Sequence, residues 1–143
     1  MPFQLDPRLN ADSISIGQFK LCQLLLINDS QYPWFVLVPM KENKTEIHQL
    51  SDSDQTQLWL ESRLLSIAIM DIFEGQKLNI AAIGNVVSQL HLHHVVRFDN
   101  DACWPKPVWG QLPMKVYNSQ EIEEIHQNIS AKLACFGIYS SQI

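Results

Sequence analysis

Ser88-Gln89-Leu90-His91-Leu92-His93-His94-Val95-Val96-Arg97-Phe98 is the stretch that decides the reading of this chain. Along a strand, successive side chains point to opposite faces. Gln89, His91, His93, Val95 and Arg97 therefore share one face, and Leu90, Leu92, His94, Val96 and Phe98 share the other. The second face is apolar enough to pack on a helix. The first sets two imidazoles side by side, with a carboxamide at one end and a guanidinium at the other.

Imidazole is a neutral nucleophile and proton carrier near pH 7. Two of them on one face, with Arg97 further along, suit attack on a phosphoryl centre and stabilisation of its charge. His94 faces the apolar side and is read as a buried, hydrogen-bonded or subunit-contact residue. His48 and His126 lack supporting neighbours and are read as solvated. Metal binding is the competing chemistry for His-x-His, but a zinc site needs a third and often a fourth ligand. No second cluster offers that spacing, and Asp99 and Asp101 lie beyond the useful end of the strand.

Working outward, Phe19 to Ile27 reads as a strand that alternates only weakly, followed by the turn formers Asn28-Asp29-Ser30-Gln31-Tyr32-Pro33. Trp34 to Val38 is its hairpin partner, and Pro39 ends it. Leu50-Ser51-Asp52-Ser53-Asp54 offers N-caps to a helix whose stripe holds Leu58, Leu65, Ile69 and Ile72, with Gly75 as C-cap. Lys77 to Ile83 is a third strand, Gly84-Asn85 a tight turn, and Val86 to Phe98 a fourth strand. Asn118-Ser119-Gln120-Glu121 forms a capping box, and Ile122, Ile125, Ile129, Leu133 and Phe136 continue a second helix that stops at Gly137. These elements predict an α+β layer: an antiparallel sheet of about five strands with two main helices on one face.

The 143 residues suit one domain, spanning 1–143, with its core at roughly 19–98 and a Trp/Pro segment and helix at 99–143. Hydrophobic residues make up 46% and the formal net charge is −5, which argues against disorder and against bulk-charge binding of nucleic acid. The three cysteines, Cys22, Cys103 and Cys135, form neither a disulfide framework nor a zinc ribbon. Met1 to Arg8 lack a basic region followed by an apolar run, so no signal peptide is expected, and apolar runs break well short of membrane-spanning length. A cytoplasmic protein without a membrane partner is expected.

Gln89-Leu90-His91-Leu92-His93-His94-Val95 resembles the signature H-φ-H-φ-H-φ-φ (φ apolar) of the histidine triad (HIT) superfamily. Trp34-Phe35-Val36-Leu37-Val38-Pro39 is similar to the family's segment ending L-V-I-P, and Gly84-Asn85 sits where a Gly-Gln turn precedes the triad. The element order matches over roughly residues 19–98. Trp104-Pro105-Lys106-Pro107-Val108-Trp109-Gly110 resembles a feature of a bacterial HIT-like branch, and is read as a rigid lid or subunit contact in preference to a substrate contact.

The resemblance implies a HIT-like fold, a homodimer, and cleavage at the α-phosphate of a nucleoside phosphate or adenylylated small molecule. The reaction would run through a nucleotidyl-histidine intermediate, with no cofactor or essential metal. It implies His91 as nucleophile, His93 as its partner at the phosphate or leaving group, and Gln89 as orienter. Asn28 and Asn79 would contact ribose, Asn85 would lie on the phosphate side, Ser88 is a further nucleotide-binding candidate, and Leu26 is a candidate for either the base pocket or the core. Four positions depart from the pattern: Gln89 replaces the first triad histidine, Trp34 the hairpin histidine, Asn85 the usual Gln, and Val86 a hydroxyl residue. A nucleotide-binding or interaction protein that kept the fold and lost efficient chemistry is therefore the alternative, and a His-x-His metal protein comes third.

Overall fold

A computed structural model describes residues 2–137 and 139–141; Met1, Ile138, Gln142 and Ile143 lie outside it. Its framework is a six-stranded antiparallel sheet in the order β4-β5-β3-β2-β1-β6. The strands are β1 (Ser13–Gln18), β2 (Cys22–Ile27), β3 (Trp34–Pro39), β4 (Lys77–Ala81), β5 (Leu92–Arg97) and β6 (Ser140–Ser141). The helices are α1 (Pro7–Ala11), α2 (Asp52–Phe73) and α3 (Ser119–Ala134), with a 3-10 turn at Ile47–Gln49. The α+β class, the antiparallel sheet and the two main helices on one face are as expected.

β2, β3 and β5 are buried on both faces, which explains their weak alternation. On one face, Leu24, Leu26, Phe35, Leu37, Leu92 and Val96 pack with Leu58, Leu65 and Ile69 of α2 and Ile129 and Leu133 of α3. Each such side chain, fully buried, contributes roughly 1.5–3 kcal/mol. On the other face, Leu25, Ile27, Trp34, Val36 and Val95 pack under Leu9 of α1 and Val108 of the segment after β5. That second layer comes from the N-terminal arm and from residues 99–116, and it walls the site.

The helix caps follow the sequence. Ser51 Oγ accepts from Asp54 N–H, and Asn118 and Glu121 form the reciprocal capping box. The C-terminal cap of α2 differs from expectation: Glu74, not Gly75, takes the left-handed conformation, with φ 51°. Gly75 is required for a different reason, because a Cβ there would sit 2.4 Å from Val96 Cγ1.

Two elements are added to the expected fold, and one strand start is corrected. The sheet has six strands because Ser13-Ile14-Ser15-Ile16 alternates as β1, and β6 closes the far edge. Asp6 caps α1 ahead of Pro7, a helix start that the sequence reading passed over. The fourth strand begins at Leu92 rather than Val86. Gly84 turns left-handed at φ 68°, and Leu90 N–H bonds to Lys44 O, so residues 84–90 bend over the sheet before pairing resumes.

Among the described residues, no helix is long and apolar enough to cross a membrane.

Candidate active site

The site is built where β5 emerges from that bend. β5 is flanked by β3 and β4, with Val36 and Ala81 opposite His93, and Phe35 and Ile80 opposite His94. This register sends His91 and His93 to the face covered by the N-terminal arm. His94 goes to the helix face, where Ser62 Oγ lies 2.8 Å from its Nε2 and Leu92 O lies 3.1 Å from its Nδ1. A carbonyl only accepts, so His94 Nδ1–H donates and its Nε2 accepts from the serine hydroxyl. His94 is buried and hydrogen-bonded, and its burial holds the imidazole pKa down at about 4.

The same logic fixes the other two rings, with opposite results. His91 Nδ1 stands 2.7 Å from Gln89 O, so Nδ1–H donates and the Nε2 lone pair is left for chemistry. His93 Nδ1 instead accepts from Trp34 Nε1–H at 3.0 Å, so a neutral His93 carries its proton on Nε2. The two rings meet edge to face at 4.8 Å between centroids. Burial chiefly, and then the neighbouring His91 and His94, push His93 down to a pKa of about 3. In their neutral forms one imidazole presents an acceptor and its neighbour a donor.

Around these rings lies a cavity of about 480 Å³. Leu9, Arg8 and Asp12 come from the N-terminal arm, Ile27 from β2, the bend from Ile83 to Val87 forms another side, and Trp109, Gly110 and Met114 close it. Trp109 packs on His93 at 5.2 Å and on Trp34 at 6.0 Å between ring centroids. The Trp/Pro segment is thus part of the site wall, which corrects its reading as only a lid or subunit contact.

The expected residues are partly brought together. His91, His93 and Asn85 line the cavity. Gln89 reaches His91 through its backbone, while its side chain accepts from Asp6 N–H at 2.8 Å and donates to Gln4 O at 2.9 Å, clasping the arm. Ser88 is exposed and outside the cavity wall. Asn28 also lies outside it: its Oδ1 accepts from Tyr117 N–H at 2.9 Å, pinning the chain ahead of α3. Asn79 Oδ1 accepts from Arg97 Nη1 at 2.9 Å and borders a separate groove with Pro105 and Pro107. Leu26 is core on the helix face, so Ile27 is the β2 side chain that meets the cavity.

Arg97 is the largest correction to the electrostatics. It is 1% exposed, and Asp101 grips it through two bonds of 2.7 and 3.0 Å. Tyr32 and Trp104 lie against the guanidinium, at 5.9 and 5.4 Å. It anchors the segment after β5, and the cation in the cavity wall is Arg8. Among the described residues, no three His, Cys, Asp or Glu side chains cluster as metal ligands. Arg8, Asp12 and Trp109 are wall residues that the sequence reading missed. The Asp6-Pro7 helix start and the alternation of β1 were the signals that would have placed the first two.

Residues 8–100 match the family model for the HIT domain. The chain belongs to the HIT family. A histidine triad protein from Marinobacter aquaeolei VT8 is 41% identical with a TM-score of 0.92, over 94% of this chain and 98% of that one. One from Bradyrhizobium japonicum is 38% identical at TM-score 0.91, over 93% and 99% of the two chains. A hypothetical histidine triad nucleotide-binding protein from Sulfolobus tokodaii, 17% identical over 86% of this chain and 85% of that one, shares the HIT fold at TM-score 0.64. No curated protein matches the chain.

Proposed function

We propose that this HIT protein is a nucleotide hydrolase or nucleotidyl transferase that cleaves nucleoside phosphate derivatives at the α-phosphorus. The observation that carries the reading is the 2.7 Å bond from His91 Nδ1–H to Gln89 O, which leaves Nε2 as a lone pair at the cavity. His91 attacks the α-phosphorus and holds the nucleotidyl group, and water or another acceptor then resolves the intermediate. His93 donates Nε2–H to a phosphate oxygen. The Asn85 side chain and the backbone N–H groups of the Gly84 bend are offered to the same phosphate, and donors held in place need no reorganisation as charge develops. Leu9 and Ile27 supply apolar surface for a base. Asp12, in the wall where Asn28 is not, is the carboxylate offered to sugar hydroxyls.

The test is turnover of an AMP-linked fluorogenic substrate in the presence of chelator, together with mass-spectrometric trapping of a nucleotidyl adduct on His91. His91→Ala should abolish both. Calorimetric binding of AMP without turnover of any substrate would favour the non-catalytic alternative. A cytoplasmic homodimer completes the proposal, and light scattering checks its stoichiometry.

A further inference from the structure

Trp34 stands 59 positions from His93 in sequence, yet its indole N–H is aimed at the one ring nitrogen that a protonated His93 would need. We infer that Trp34 locks His93 as an uncharged Nε2–H donor, so that the site expels only leaving groups that depart as stable anions, carboxylates or phosphates, and discriminates against amines. This inference rests on the proposed nucleotidyl transfer and narrows its substrate class.

An imidazolium carries N–H on both nitrogens. To form one, His93 would have to turn Nδ1–H against the Trp34 N–H, losing a buried hydrogen bond and placing two donors face to face. The indole cannot relay the proton onward, because its nitrogen is a donor only. Nor does the surrounding structure favour a cation on this ring. Trp34 and Trp109 pack on it, His91 lies beside it, and His94 lies on the opposite face of the same strand. The charged groups in the cavity wall, Arg8 and Asp12, come from the N-terminal arm, whereas the ring's hydrogen bond is to Trp34.

The consequence follows from electron and proton balance. When His91 Nε2 forms a bond to the α-phosphorus, the bond from phosphorus to the leaving atom breaks, and its electron pair goes to that atom. A carboxylate or phosphate oxygen keeps the pair as an anion and needs no proton. His93 Nε2–H can steady the charge by hydrogen bonding without giving the proton up. An amine nitrogen cannot leave as an anion; it must receive a proton as the bond breaks, and a neutral imidazole whose other nitrogen is capped by Trp34 is not a source of one. In the second step, water attacks phosphorus, the N–P pair returns to His91 Nε2, and the displaced proton goes to solvent. The step that separates the substrates is therefore the first.

Two measurements test this. Nitrogen-15 NMR of the histidine-labelled protein should show His93 with Nδ1 unprotonated and Nε2 protonated from about pH 5 to 8, the window in which a free imidazole titrates. A protonated Nδ1 in that range overturns the lock. The second compares kcat/KM for AMP joined to a carboxyl group through P–O with AMP joined to an alkylamine through P–N, in the wild type and in Trp34→His and Trp34→Phe. Losing a proton donor is worth about 10²–10⁴-fold, so the ratio should favour the mixed anhydride strongly in the wild type. It should fall by about tenfold or more in Trp34→His, where a second imidazole can accept from Nδ1–H. Trp34→Phe keeps an aromatic ring and removes only the donor, so NMR on it should show Nδ1 freed even if Trp34→His fails to fold. A ratio that does not move in a folded Trp34→His protein overturns the selectivity alone. Absence of turnover of both substrates overturns it together with the proposed function.

Discussion

Gln89 meets His91 through its backbone carbonyl at 2.7 Å and leaves its side chain to hold the N-terminal arm. These two tasks are separable, and Gln89→Ala removes only the second. The arm should then loosen, seen as faster amide exchange across residues 4–12, and nucleotide KM should rise because Leu9 and Asp12 drift from the cavity wall. The effect on kcat should be smaller, since the backbone still orients His91. A collapse of kcat with unchanged exchange would show that the carboxamide acts on the reaction itself.

Asp101 carries the anchor of the segment after β5. Burial favours its neutral form, but the bonds from Arg97 and the backbone N–H groups of Phe98 and Cys103 outweigh it and hold the carboxyl below its usual range. Asp101→Asn leaves Arg97 buried without a counter-charge, a loss of about 3–5 kcal/mol by the usual cost of breaking such a pair. Urea denaturation reads it directly. Arg97→Met in the Asp101→Asn background should recover part of the loss, because no buried charge then remains.

Stability should depend on pH through the two buried imidazoles. Both are held neutral in the fold, at about 3 for His93 and about 4 for His94, against 6.5 when free. The unfolded chain therefore binds more protons below pH 6.5. Their contribution is fully present above that pH and is lost as pH falls toward 4 and then 3. For His94 the loss is on the order of 3 kcal/mol across the range. His94→Asn should flatten the slope of denaturation midpoint against pH between about 4 and 6.5; an unchanged slope would mean that other groups set it.

Glu61 is buried in α2, and its two carboxylate oxygens accept from Leu21 N–H at 2.8 Å and Cys22 N–H at 2.9 Å, fixing the turn from β1 to β2. Glu61→Gln turns one acceptor into a donor facing a backbone donor. It should cost about 1–3 kcal/mol in thermal or urea unfolding, with nucleotide binding unchanged because Glu61 lies on the helix side of the sheet.

The sequence made His91, His93 and His94 legible because the period of a strand assigns each to a face without knowledge of any partner. The capping residues of α2 and α3 were legible for the same reason: a cap bonds within a few residues of itself. What escaped notice depends on contacts between distant positions. Nothing near Trp34 says that its indole will meet His93, and nothing near Gln89 says that its amide will meet Gln4 and Asp6. Arg97 was read as a partner for phosphoryl charge because Asp101, which holds it, sits just past the strand, where a local pattern suggests solvent. Asn28 was assigned to the sugar by resemblance, but its Oδ1 accepts from Tyr117 N–H, and one position earlier on the strand Ile27 is the side chain that lines the cavity. β1 was within reach, since Ser-Ile-Ser-Ile alternates cleanly, but its polar half resembled a loop beside the oily runs that follow.

Because Arg8, Leu9 and Asp12 form one wall of the cavity, and Gln89 clasps Gln4 and Asp6 just ahead of them, the stretch before β1 is part of the site. A bulky group attached there should stand near the mouth of the cavity and weaken ligand binding without disturbing the sheet. Ser140–Ser141 pair with β1 on the opposite sheet edge from β4, so a label on that strand keeps clear of the cavity. Where a label is placed on this protein thus decides whether the cleft stays open.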